Sequence, residues 1–511
     1  MSPMVVPAPE ASGRRRLDAG ALGSAVVSTR TADTVPEIAQ APVSSSPADL
    51  IEVPAAADAL GELFARAGHE LHLVGGTVRD ALLGRPPEDL DFATDARPER
   101  ILELVEAEAD ATWTTGIEFG TVGVQFRSSH CEITTYRADR YDRVSRNPVV
   151  RYGDSLEDDL RRRDFTMNAM ALSVPAHAFT DPFGGLRDLA AGVLDTPAPP
   201  EESFADDPLR MLRAARFVAQ LGATPAPDVV AAMTTMADQI GRIAVERVQL
   251  ELTKLMVGAH PRRGLELLVD SGLAGVVLPE LPALRMEIDE HHQHKDVYAH
   301  TLTVLDQAIA LEDSGPDLVL RLAAVLHDIG KPATRRHERG GGVSFHHHEV
   351  VGAKLARARL KALRYPKDVV EQVAALVLLH LRFHGYGRGE WTDSAVRRYV
   401  TDAGPLLDRL HKLVRSDCTT RNRRRAAMLA RSYDVLEERI ARIAAEEDLR
   451  AIRPDLDGNE IMRLLGLSPG PLVGQAWRHL KELRLDRGPL EHDEAVAELR
   501  LWAAERGITP P

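Results

Sequence analysis

The spacing of apolar residues changes character once, near Pro208, and this limits the folds open to the chain more than any other feature. From Pro208 to about residue 510 nearly every segment carries helical periodicity, broken by Pro and Gly. Before it, LHLV (Leu71 to Val74), DLDFAT, TVGVQF and HCEITTYR have the alternating or β-rich composition of strands. Between them lie helical stretches, ADLIEVPAAADALGELFARAG and TVRDALLG, the second stopped by Gly84. The expected fold class is α+β: a mixed head over 48–195, then an all-helical neck over 196–290 and a helical body beyond. Residues 1–47 are rich in Ala, Pro, Ser and Thr without a period and read as a disordered tail.

Several function classes drop out on composition. No apolar run approaches the ~18 residues a membrane span needs. The opening MSPMVVPAPEASGRRRLDAG has no apolar stretch long enough for a signal-peptide core, so a cytoplasmic location is expected. Two cysteines, Cys131 and Cys418, make neither a disulfide framework nor a zinc ribbon. A net charge of −13 opposes general nucleic-acid affinity, yet arginines crowd into local clusters. These are Arg137, Arg140, Arg143, Arg146 and Arg151; Arg161 to Arg163; Arg210, Arg213 and Arg216; and Arg415, Arg421 and Arg423 to Arg425. Local basic stripes on an acidic chain suit a protein that grips RNA at chosen places.

Asp89 and Asp91 are the first chemical signal. Residues two apart on a strand share a face, so the two carboxylates can share hard cations such as magnesium. Before them, Val74-Gly75-Gly76-Thr77-Val78-Arg79-Asp80 reads as a strand, a glycine turn and a helix start. The turn's N–H groups and the helix dipole suit a triphosphate, and Arg79 adds a fork of donors. If the strand HCEITTYR pairs beside the DLD strand, Glu132 completes a three-carboxylate cluster, with Cys131 turned to the opposite face. Arg161, Arg162 and Arg163 precede an apolar segment and suit triphosphate or ribose.

In the helical stretch Asp206-Asp207-Pro208-Leu209-Arg210-Met211-Leu212-Arg213-Ala214-Ala215-Arg216, Pro208 suits the first turn after an acidic cap, and Asp207, Arg210, Arg213 and Arg216 recur every third residue as a drifting stripe along one side. Cytosine and adenine both present an amino donor beside a ring-nitrogen acceptor. Asp207 can accept from the amino group while Arg210 donates to the ring nitrogen; uracil and guanine have the reverse polarity and would leave both groups unpaired. As a bland alternative the two form a helix ion pair.

VGGTVRD, EDLDFAT, RRRDFTMNA, DPFGGLRDL, DDPLRMLRAARF and ERVQLEL, in this order, resemble the class II tRNA nucleotidyltransferases, which add CCA to tRNA 3′ ends and whose head resembles the polymerase β fold. The resemblance spans roughly residues 58–290. It implies that Gly76, Arg79, Arg163, Asp207, Arg210, Arg213 and Arg216 contact ATP or CTP, and that Asp89 and Asp91 hold magnesium. One departure is Asp206, where the family usually carries Glu. The family also includes poly(A) polymerases and enzymes that add only CC or A. The basic segment from Arg137 to Gly153 resembles the flexible loop of full CCA adders.

His327-Asp328-Ile329-Gly330-Lys331 resembles the HD phosphohydrolase motif, in a domain placed at 291–435. With His300, His348, His380 and Asp417 it forms a candidate site for a second divalent metal: manganese, cobalt, nickel or magnesium. The alternative is a helical scaffold without activity. LDGNEIMRLLGLSPGPLVGQAWRHLKEL, within 436–511, resembles the region on which tRNA rests. The expected activity is Mg-dependent CCA addition to tRNA, without any membrane partner. A poly(A) or partial adder, an HD phosphohydrolase with an RNA-binding head, and a non-catalytic RNA-binding module are the competing readings.

Overall fold

The computed structural model describes residues 46–87, 89–137, 152–153, 155–286, 296–339, 342–383, 392–419, 422–447 and 452–509. The tail up to residue 45, Arg140, Arg143, Arg146, Arg151, Arg421 and most of the basic segment between Arg137 and Gly153 lie outside the described residues.

The head is built on β1 (Leu71–Val74), β2 (Leu90–Thr94), β3 (Ala111–Trp113), β4 (Thr121–Phe126), β5 (Ser129–Thr135), β6 (Ala171–Ser173) and β7 (Phe179–Thr180). They form one sheet in the order β3-β4-β5-β2-β1-β6-β7, so β2 and β1 sit centrally. All four residues of β1 are buried, so the strand is covered on both faces, and its one polar member, His72, is partnered by the Tyr136 hydroxyl at 2.9 Å. The pair β2–β5 is parallel and sets Asp91 opposite Glu132; the other pairs of the sheet are antiparallel.

Helices make up most of the rest, and one apolar core runs through head, neck and body from Ile51 to Leu485. Leu456, Ile461, Leu480, Leu499 and Trp502 belong to a separate C-terminal core. One helix spans Arg423–Glu446, so the division placed at 435 falls inside a continuous rod. No helix among the described residues is long and apolar enough to cross a membrane.

The helix expected to begin at Pro208 after an acidic cap is present, and Asp207 lies outside it. One helix ends at Pro200–Asp206, Asp207 is extended at φ −142°, and a second helix runs Leu209–Leu221. Pro208 is the cause: a proline disfavours helical backbone in the residue before it. Asp207 instead accepts the Leu209 N–H at 3.1 Å. The stripe therefore loses its first member; Arg210, Arg213 and Arg216 remain on the second helix.

Candidate active site

Where β1 ends, Gly75 takes φ 70° and starts the helix Gly76–Leu82. A Cβ at Gly75 would meet the Arg163 guanidinium at 2.9 Å and the Asp91 carboxylate at 3.6 Å, so the turn lies close under both. Thr77 joins turn and carboxylates: its Oγ1 donates to the Asp89 carbonyl at 3.2 Å and accepts the Asp91 N–H at 3.0 Å. Asp89 lies in the bend just before β2 rather than in the strand, and Asp91 is the strand's second residue. Burial pushes the Asp91 carboxyl up to about 6; Arg163 opposes this, while Glu132 and Asp89 add to it.

These groups open on a cleft of about 770 Å³. Gly76, Arg79, Asp89, Asp91, Arg163, Arg213 and Arg216 are among its walls; Glu132, Asp207 and Arg210 are not. Arg79 is forked against Asp80 (2.9 and 2.7 Å) and donates to Asn168 at 2.7 Å. Arg163 pairs with Asp159 at 3.0 Å, Arg213 with buried Asp164 at 2.8 Å, and Arg216 with buried Glu251 at 2.6 Å. The guanidiniums of Arg79, Arg213 and Arg216 surround the Phe217 ring, 5.1, 5.9 and 4.0 Å from its centre. Such contacts on one ring fix their planes as well as their positions.

Asp207 and Arg210 sit beside the cleft with partners of their own. The Asp207 carboxylate pairs with Arg247 at 2.8 Å. Arg210 donates to the Arg162 carbonyl at 2.5 Å and to Ser203 Oγ at 2.8 Å.

Sequence reasoning passed over Thr77, Asp159, Asp164, Asn168, Arg247, Glu251 and Lys254. Asp164 and Asn168 stand inside RRRDFTMNA, and Asp159 lies one helical turn before Arg163, so a signal existed for these three. Arg247, Glu251 and the cleft-lining Lys254 come from the helix Val245–Met256 and reach the site only through packing.

A second cluster lies in the body. His300 sits on the helix Val297–Ile309, His327 and Asp328 end Leu318–Leu326, and His348 opens His348–Ala362. His380 caps Lys367–Leu379 and Asp417 caps Leu407–Ser416. The Nδ1 groups of His327, His348 and His380 donate to the carbonyls of Ala324, Phe345 and Val377 at 2.8, 2.8 and 2.6 Å. That turns each ring's Nε2 inward, the usual preparation of a metal-binding histidine. The six side chains form two adjoining sets, His300, His327 and Asp417, and Asp328, His348 and His380. Asp328 bridges the sets, with Oδ2 3.2 Å from His327 and 3.5 Å from His300, and Oδ1 3.3 Å from His348. Burial pulls His380 down to about 4, assisted by the His327 charge. Its Nε2 is buried with no hydrogen-bond partner among the described residues.

Three family models match the chain: the poly A polymerase head domain over 71–195, the probable RNA and SrmB-binding site of polymerase A over 222–284, and the HD domain over 297–444. An A-adding tRNA nucleotidyltransferase of Deinococcus radiodurans is 36% identical over 440 residues, 85% of this chain and 95% of that protein. The chain belongs to the tRNA nucleotidyltransferase family. A CC-adding member from Thermus thermophilus is 35% identical over 442 residues, 85% of this chain and 94% of that one. Among solved structures of the family, the Bacillus stearothermophilus CCA-adding enzyme in complex with CTP superposes with a TM-score of 0.64 at 27% identity, covering 89% of this chain and 99% of that chain. Family membership implies use of a divalent metal.

Proposed function

We propose that this nucleotidyltransferase adds CCA to the 3′ end of tRNA from CTP and ATP, without a nucleic-acid template, in the cytoplasm. The observation that carries this reading is the convergence of a carboxylate pair, a glycine turn and the arginines Arg79, Arg163, Arg213 and Arg216 on one cleft. The Gly75–Gly76 turn offers backbone N–H groups to the triphosphate, and Arg79 and Arg163 offer forked donors to its oxygens. The ion is magnesium, and the residues fit it. Asp89 and Asp91 present oxygen donors, and Asp91 is a carboxyl whose raised affinity for protons a bound cation would reverse. When bound, magnesium supplies charge that stabilises the attacking and leaving oxygens of an in-line displacement. The RNA 3′-hydroxyl gives up its proton to solvent as its oxygen bonds to the α-phosphorus, the bond from the α-phosphorus to the α,β-bridging oxygen breaks, and pyrophosphate leaves with that oxygen. Glu132, opposite Asp91, adds negative potential to the hydroxyl's side of the pair.

Asp207 and Arg210 read the base edge, Arg213 and Arg216 complete the nucleotide's cradle, and Arg247 yields Asp207 to the amino group of C or A. The exposed Arg423, Arg424 and Arg425 lead into the 436–511 region, where the body of the tRNA rests. Full-length likeness to an A-adding and a CC-adding protein favours partial addition as the alternative reading. Incubating tRNA that lacks its CCA with labelled CTP and ATP separates them. Three added residues support CCA addition, and one or two mean a partial adder. An unlimited A ladder that ignores CTP means a poly(A) polymerase. UTP and GTP should be refused, and Asp207→Ala should widen that choice.

The inward Nε2 atoms around Asp328 favour a second reading for the body: a divalent-metal phosphohydrolase site that trims cyclic or terminal phosphates from RNA ends before addition.

A further inference from the structure

One rung of the sheet carries more than the carboxylates. Asp91 pairs with Glu132, Glu132 with Gly123 and Gly123 with Trp113, so four residues on β2, β5, β4 and β3 share a line and a face. Gly123 leaves the space that the indole fills, since a Cβ there would overlap the Trp113 ring. Trp113 thus lies back over β4 toward β5, where His130, two residues before Glu132 and on its face, stacks against it. The ring centres are 4.6 Å apart at 26°. His130 Nδ1 in turn lies 3.1 Å from Asp89 Oδ1. His130 is 39% exposed, and Trp113 is only partly buried and outside the apolar cores.

The position of this stack is asymmetric. The cleft with the glycine turn and arginines lies on the β1 side of Asp89 and Asp91, and no residue of β3, β4 or β5 is among its walls. The aromatic pair lies on the other side. In an in-line displacement the attacking oxygen enters opposite the leaving group. A triphosphate whose leaving end is held at the glycine turn therefore receives the RNA 3′-hydroxyl from the β5–β3 side.

We infer that Trp113, backed by His130, is the stacking platform for the 3′-terminal nucleobase of the RNA acceptor. The inference rests on nucleotidyl transfer to RNA as proposed above, and it assigns the acceptor's last base to a site separate from that of the incoming nucleotide. Every base has a π-face, so such a platform accepts each successive 3′ end as the chain grows. The Trp113–His130 stack also holds the imidazole beside Asp89, which places the acceptor's sugar next to the carboxylates.

The test compares wild type with Trp113→Leu, which keeps apolar cover, and Trp113→Phe, which restores a ring. Aromatic stacking of a base is lost about tenfold or more on removal of the ring. Trp113→Leu should raise the KM for tRNA lacking CCA by about that factor, with the KM for CTP unchanged and Trp113→Phe near wild type. A second readout needs no catalysis: RNA ending in 3′-terminal 2-aminopurine should be quenched on binding wild type and less so on Trp113→Leu. An unchanged RNA KM with unchanged quenching overturns the platform. An equal rise in both KM values assigns the ring to the incoming nucleotide or to the scaffold, and overturns it too. If wild type incorporates no CTP while quenching depends on Trp113, nucleotidyl transfer fails and the binding site stands.

Discussion

The head cleft and the body's histidine cluster both gather charged side chains around a space, and they balance that charge in opposite ways. In the cleft four arginines are tied by neighbouring side chains: Arg79 by Asp80 and Asn168, Arg163 by Asp159, Arg213 by Asp164, Arg216 by Glu251. The tethers aim the cations without filling the cleft, so a polyanion meets a site already oriented, with little reorganisation left to do. In the cluster the charges face one another. His300 lies 3.0 Å from Asp417, and Lys331 Nζ sits 2.6 Å from Asp328. A metal entering there meets Asp328 already engaged by Lys331 at Oδ2, whereas a nucleotide entering the cleft can leave most of the tethers intact.

The largest effect should come from the cleft's carboxylates. Asp91→Asn keeps shape and removes the charge on which metal binding depends. Several kcal/mol of transition-state stabilisation are at stake, so CTP incorporation should fall by at least about a thousandfold. Thermal stability should hold or rise slightly, because burial already disfavours the Asp91 charge. Incorporation within tenfold of wild type in magnesium would remove Asp91 from the catalytic role.

The tethers supply the next effect. Burial alone would raise the Asp164 carboxyl; the Arg213 charge and the Asn168 hydrogen bond overcome it and hold the group well below the usual carboxylate range. Asp164→Asn leaves Arg213 without its anion and should cost about 3 kcal/mol, the lower end for a broken buried pair because Arg213 is 35% exposed. The pH dependence follows from the sign of the shift. With the folded value depressed, the pair's stability is complete above the unfolded value near 4 and drains away as pH falls below it. Denaturant melts between about pH 5 and pH 2 should therefore show a steeper loss in wild type than in Asp164→Asn. Parallel curves would mean that the tether contributes nothing.

The two regions also differ in how far they could be read from residues alone. The mixed head and helical body were legible because period two gives way to period 3.6 at one place. The glycine turn and Asp91 were legible because they lie within a short stretch whose strand–turn–helix pattern is local. Asp89 was assigned to the strand, yet it sits in the bend before it, held through Thr77. The helix start at Pro208 is legible from the proline itself; the departure of Asp207 from the arginine stripe is not, because three arginines at regular spacing hide the effect of Pro208 on the residue before it. Arg247 and Glu251 stand within ERVQLEL, but their partners are not legible there: they reach Asp207 and Arg216 across 40 and 35 residues, by packing of one helix on another. The cluster's histidines stood out as residue types, but their division into two sets around Asp328 depends on how five helices end against each other.

The smallest expected effect on nucleotide addition is the sharpest test of the separation between the regions. Asp328 is fully buried and bridges the two ligand sets, so Asp328→Ala should abolish divalent-metal binding at the cluster. The head shares none of these six side chains, so CTP and ATP incorporation should stay within about twofold of wild type at a temperature below both melts. Removing a buried carboxylate strands Lys331 and the imidazoles, and the variant will lose stability for that reason alone. His380→Gln is the control, since its Nε2 has no hydrogen-bond partner among the described residues to lose. Metal content by elemental analysis and hydrolysis of a 2′,3′-cyclic phosphate with manganese, cobalt, nickel or magnesium complete the measurement. Bound metal and hydrolysis in wild type, both lost in the two variants while addition persists, would establish two independent sites on one chain. A wild type without metal and as inert as the variants would reduce the cluster to scaffold. A parallel loss of addition in His380→Gln, at unchanged stability, would mean that the regions are coupled.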